Sequence, residues 1–329
     1  MLREANVVWG CDPEGFFQRN GRIIGSEHII PERGLVSYGG RVIRDGIQFE
    51  LNPHHANTIS VLRSHIGDLF RAVTGVIKRY NDVSINYQGL VTVTAEEFAT
   101  VSEKSRVLGC MPSENFYGVR PINIDGKIYP KRSAGAHIHM GLQGPIFAER
   151  ERLVPLMDIF VGNTGVLLDR DPGAAERREN YGRAGEYRKP KHGLEYRTLS
   201  NFWLRDYRLM SLIYGMASVA VGVLQTTIEG QRNLELELAE TVDINAFQLA
   251  IDTNDFDMAL ANFRTVIPFL KKYVPASDIY FPIAAVGKFT AFCQDARSKG
   301  IGHFFPTESI AERWMAPAGE SFTAFLYRL

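Results

Sequence analysis

Through the first 55 residues, short apolar and polar runs are broken by turn dipeptides: Asn20-Gly21 between FFQR and RII, Gly39-Gly40 between LVSY and RVIR, and Asp45-Gly46 before IQFEL. Asn-Gly and Asp-Gly supply the positive φ angles that tight hairpins require, so this part is predicted to be an antiparallel meander. The period then changes. From Thr58 to Tyr80 the apolar residues Ile59, Leu62, Ile66, Leu69, Val73, Ile77 and Tyr80 recur every three or four positions, which predicts an amphipathic helix packed on the sheet. Strand patterns return at VSINY, at INIDGKIY (122–129) and at AGAHIHMGL, followed by a helical stretch from Pro145 to Leu168 that Pro155 is placed to kink. Asp169 to His192 reads as a polar, Arg-rich loop suited to act as a lid, leading into the strand GLEYRTLS. The remainder is mostly helical in pattern. Strands first and helices later, without regular βαβ alternation, predict an α+β fold with helices on one face of a mostly antiparallel sheet. The expected organisation is a sheet domain over 1–205 and a helical region over 206–329 packed on the same domain.

Composition narrows the classes. The chain has 329 residues, and 37 basic residues balance 37 acidic ones, so no global field favours nucleic acid or an anionic membrane. The longest apolar stretch, Leu209 to Leu224, is interrupted by Ser, Tyr and Gly, and the N-terminus lacks a signal-peptide pattern; a cytoplasmic protein without a membrane span is expected. Cys11, Cys110 and Cys293 have no C-x-x-C spacing, which disfavours a disulfide framework and a thiolate zinc site. Cys11 is expected to be a packed, inert thiol on the strand face opposite its acidic neighbours.

Four motifs then share one geometry: Asp12 and Glu14 in WGCDPEGFF, Gln48, Glu50 and Asn52 in GIQFELNP, His137 and His139 in AGAHIHMGL, and Glu195 and Arg197 in GLEYRTLS. On a strand, residues at i and i+2 point to the same side while the intervening ones pack behind. Taken singly, each motif is also what a solvated strand face, a core histidine or a plain ion pair would give. Together they would bring carboxylates and imidazoles into one pocket, where like charges must take up protons or bind cations. Oxygen ligands with one imidazole suit Mg2+ or Mn2+, and the arginines ending in Arg197 suit a polyphosphate. His54 and His55, in a Pro/Asn turn, are read as capping the next helix. No P-loop or dinucleotide fingerprint is present.

On these residues the chain resembles the carboxylate–amine ligase superfamily of glutamine synthetase and glutamate–cysteine ligase, and more closely the phage-type amidoligases of the type 2 COOH–NH2 ligase family, over residues 7–205. The resemblance implies a curved, mostly antiparallel sheet forming a funnel-shaped active site with helices on its outer face. It implies Asp12, Glu14, Glu50, His137 and Glu195 as metal ligands. His139, Arg188, Arg197 and Arg183 would bind nucleotide, and Arg197 and Arg183 would act on the phosphoryl group in flight. The Gln48 position carries no charge, which leaves the number of metal ions open. The implied activity is amide formation from ATP, Mg2+, a carboxylate and an amine, each substrate a small molecule or peptide. The cytoplasm would be a host's if the chain is phage-encoded, and a homo-oligomer is left open. Glu186 and Glu179 are the candidates for a general base. The alternatives are a metal-dependent hydrolase on the His-x-His pair, a guanidino-type phosphotransferase, and a structural phage protein that has lost catalysis.

Overall fold

The computed structural model describes residues 2, 6–106, 113–119, 129–230, 232–275, 283–306, 310–315 and 319–329. The strand expected at INIDGKIY, apart from Tyr129, and Cys110 lie outside them. The fold is α+β, as the sequence pattern predicts, and every strand pairing is antiparallel.

The expected curved, antiparallel sheet is built from two hydrogen-bonded parts and a short ribbon. One sheet runs in the order Val8–Cys11, Ile138–Gly141, Gly193–Tyr196, Glu186–Arg188, Glu114–Asn115. A second contains Arg22–Ile24, Glu14–Arg19, Gln48–Pro53, Gly40–Asp45 and Leu35–Ser37, with Val83–Asn86 added on Glu14–Arg19. A two-stranded ribbon pairs Lys131–Ser133 with Leu90–Thr92. The two larger sheets meet at Asp12-Pro13, where the chain leaves Val8–Cys11 and enters Glu14–Arg19. Pro13 has no N–H to continue a ladder, so the strand breaks there. The Pro13 carbonyl accepts from Leu51 N (2.8 Å), and Glu14 N donates to the Gly135 carbonyl (2.9 Å), which closes the corner into an open half-barrel.

The predicted helix forms as Ile59–Ile77, with the Thr58 hydroxyl accepting from Val61 N as its N-cap; the cap is therefore Thr58, not the histidines before it. The stretch from Pro145 is helical but broken, through Leu153–Met157, a π-helical turn at Asp158–Gly162, and Asn163–Leu168. The expected polar loop is a correction: it contains the helix Ala174–Asn180 and the strand Glu186–Arg188. Arg177 and Arg178 are fully buried, donating to the carbonyls of Thr198, Leu199 and Gly182.

Alternation sorts the first sheet into two faces. Trp9, Cys11, Ile138, Met140, Leu194 and Tyr196 are buried on the back. Behind them lies Tyr207–Ile228, whose Tyr214 packs edge-on against Trp9 and Trp203 and donates to the Gly10 carbonyl (2.8 Å). This helix is long and apolar enough to cross a membrane, yet 83% of its most apolar window is buried inside the molecule. Cys11 is buried there, and burial pushes its thiol well above the ordinary range. One core runs from Val7 to Leu326, joining the sheets to the C-terminal helices.

Candidate active site at the sheet corner

The front face of the first sheet presents a straight row across four strands, with Gly10 opposite His139, His139 opposite Glu195, and Glu195 opposite Arg188. Asp12 and His137 flank this row just outside the strands. Asp12 Oδ2 lies 2.9 Å from His137 Nδ1 and 3.3 Å from His139 Nε2, and Asp12 Oδ1 accepts from His137 N (3.1 Å). Glu195 Oε1 is 3.6 Å from His137 Nδ1 and 3.3 Å from Arg197 Nε. Asp12, His137, His139 and Glu195 thus offer ligand atoms within 4.8 Å of one another.

A second group of acids sits across the corner. Glu14 is directly opposite Glu50, and Asp45 directly opposite Gln48, so Glu14, Asp45 and Glu50 converge within the same 4.8 Å limit. Glu14 Oε2 accepts from Gln48 Nε2 (2.8 Å) and Gly135 N (2.7 Å), while Asn52 Nδ2 donates to Glu50 Oε1 (3.3 Å). The uncharged Gln48 is therefore a clamp on Glu14. The expected pairing of Asp12 with Glu14 is corrected: two residues apart, they belong to different clusters because the corner turns between them.

The electrostatics are those of a cation site. Burial and then the carboxylates of Asp12, Glu14, Asp45 and Glu195 push Glu50 up to about 9. Burial, Asp45 and Asp12 raise Glu14, and burial with Asp12 raises Asp45. Burial would raise Asp12 too, but His137 and His139 hold it well below the usual carboxylate range. His137 is lowered by burial, whereas for His139 the Asp12 charge outweighs burial and raises it. Two buried atoms, His139 Nε2 and Glu195 Oε1, make no hydrogen bond among the described residues. Asp12 lies close enough to His139 to attract it but is not aligned to accept from it. Unsatisfied ligand atoms in the first cluster and crowded carboxylates in the second are arrangements that could hold a hard divalent cation.

The other predicted residues divide. Arg197 is buried beside Glu195, and Arg188 NH1 approaches Glu195 Oε1 at 3.8 Å. Arg183 is engaged at a helix end. Its guanidinium donates to the carbonyls of Arg178 (3.0 Å) and Glu179 (2.8 Å), closing the end of the helix Ala174–Asn180, where a positive charge complements the exposed carbonyls. Glu179 is exposed on that helix. Glu186 shares a face with Arg188, is buried, and among the described residues its Oε2 has no hydrogen bond. Reading the sequence missed two residues. Asp45 looked like a turn residue, but the hairpin turns at Gly46-Ile47, leaving Asp45 in the strand. Tyr181 carried no motif; its hydroxyl lies 2.8 Å from His137 Nε2 and accepts from Arg197 Nε (3.1 Å). Beside His139, a cavity of about 480 Å³ is lined by Val8, Asn52, His55, Gln143 and His192, with glycines on its floor.

Residues 124–247 match the model of the phage phiEco32-like COOH.NH2 ligase-type 2 family. Over this segment the chain is similar to the type 2 COOH–NH2 ligases. The match contains His137, His139, Glu195 and Arg197, in agreement with the resemblance carried by the motifs. It begins after Asp12, Glu14 and Glu50, and it runs into the C-terminal helices beyond residue 205. Among solved structures, one described as apo GmaS without ligand is similar at 13% identity and a TM-score of 0.41, covering 90% of this chain and 70% of that one. No curated protein matches the chain.

Proposed function

We propose that this carboxylate–amine ligase relative is ATP- and Mg2+-dependent and forms an amide through an acyl phosphate. The observation that carries this reading is the pair of acid clusters at one corner, flanked by Arg188 and Arg197. Asp12, His137, His139 and Glu195 would hold one cation and Glu14, Asp45 and Glu50 another. Bound there, Mg2+ or Mn2+ would neutralise phosphate oxygens and the charge that develops during phosphoryl transfer.

A substrate carboxylate oxygen bonds to the γ-phosphorus as the bond to ADP breaks. The amine nitrogen then bonds to the acyl carbon, phosphate leaves, and the amine gives up a proton. Arg197, fixed beside Glu195, supplies planar N–H donors to the transferring group, and Arg188 on the neighbouring strand supplies a second set. Glu186 is the carboxylate we assign as proton acceptor, since its Oε2 is buried and has no hydrogen-bond donor among the described residues. The carboxylate and amine are small molecules or peptide ends, and the setting is a cytoplasm that provides ATP.

Phosphate release from ATP with Mg2+, screened over amino acids and polyamines with mass detection of products, tests this for wild type, Glu195→Gln and Glu186→Gln. We expect substrate-stimulated phosphate release with an amide product, abolished in Glu195→Gln and reduced at least about 100-fold in Glu186→Gln. Hydrolysis of an amide without nucleotide would favour the metal-dependent hydrolase instead.

A further inference from the structure

His137 is the most constrained side chain of the site. Its ring is buried, Nδ1 faces Asp12 Oδ2 at 2.9 Å, and Nε2 faces the Tyr181 hydroxyl at 2.8 Å. A Cβ on Gly135 would lie 2.5 Å from Nε2, so only glycine there lets the ring occupy this position. The Tyr181 ring meets the His137 ring edge-on, at 5.8 Å between centroids, and lies under the guanidinium groups of Arg177 and Arg197. Both Nε and Nη2 of Arg197 donate to the Tyr181 hydroxyl.

We propose that Tyr181 is a positioning residue that fixes the His137 ring with Nδ1 toward the cation cluster and ties that ring to Arg197. The proposal rests on the cation site argued above. An imidazole beside a cation is oriented by the partner on its other nitrogen, and removing such a partner weakens binding by about 10- to 100-fold. A hydroxyl suits the position because it both donates and accepts. When Nδ1 carries the proton and donates to Asp12, Tyr181 donates to Nε2. When Nδ1 gives its lone pair to a cation, the neutral ring carries its proton on Nε2 and Tyr181 accepts it. Because Arg197 shares the same oxygen, the ring that faces the cation and the guanidinium assigned to the phosphoryl group are held in one chain of hydrogen bonds.

Tyr181→Phe removes the hydroxyl and retains the ring stacked with Arg177 and Arg197, so the fold is expected to persist; circular dichroism checks this. Two readouts decide. Mn2+ affinity, measured by the electron paramagnetic resonance signal of unbound Mn2+, is expected to fall about 10- to 100-fold in Tyr181→Phe. In the metal-free protein, 15N NMR of the His137 ring is expected to show Nδ1 protonated towards Asp12 in both proteins, and the Nε2 shift moved in the variant by loss of its hydrogen bond from Tyr181. Unchanged Mn2+ affinity with an unchanged Nε2 shift would overturn the assignment of Tyr181 alone. Failure of wild type to bind Mn2+ would overturn it together with the cation site itself.

Discussion

Asp45 is the residue at which sequence and structure differ most usefully. Its Asp-Gly dipeptide points to a turn, and a turn does follow, but one position later, so the carboxylate faces Glu14 and Glu50 instead of water. Hairpin register is set by backbone pairing that a dipeptide does not encode. Without a cation the three acids repel, so Asp45→Asn should stabilise the metal-free protein by about 1 kcal/mol, read as a higher Tm. The same variant should bind Mg2+ more weakly and gain less Tm on its addition. A metal-free Tm that falls would mean that Asp45 is held by contacts stronger than this repulsion. The motif residues were legible because strand alternation puts Glu50 on one face of its strand with Gln48 and Asn52, and His139 and Glu195 on the front of theirs. Tyr181 was not, because its role depends on a loop returning over the sheet.

At the scale of elements, alternation gave the sheet faces and the three-four period gave Ile59–Ile77 almost to its ends. The segment 169–192 misled because its arginines suggest solvent, whereas Arg177 and Arg178 are buried and donate to the backbone carbonyls of Thr198, Leu199 and Gly182. The π-helical turn Asp158–Gly162 was equally illegible. It carries the buried Asp158, which accepts from Tyr196 Oη (2.7 Å) and Tyr117 Oη (2.8 Å) on the back of the strand that presents Glu195. Burial raises Asp158 from 3.8 to about 7, so the folded protein holds a proton that the unfolded chain has lost. This group's contribution is therefore greatest below about pH 4, declines as pH rises towards 7, and is flat above. Asp158→Asn should remove that decline, seen as a flatter dependence of urea midpoints on pH between 4 and 7. An unaltered slope would place the titration elsewhere.

Across the whole molecule, one continuous core links Trp9 and Ile138 in the sheet to Tyr214 and Phe325 in the C-terminal helices. A chain ending at residue 205 would bare Trp9 and Met140 on the back of the first sheet, together with the neighbouring Trp203, and should not fold. Calorimetry of the full chain should accordingly give a single transition, and a separate melt of the C-terminal helices would show that the two parts are independent. The corner between the sheets has one more consequence. Asp12 serves one cluster and Glu14 the other, with only Pro13 between them, so their Cα atoms can be at most about 7 Å apart. The backbone thus acts as a covalent ruler between the two acid clusters. Its length does not depend on which substrate arrives, and a single residue inserted beside Pro13 would change the gauge while leaving each cluster's own residues in place.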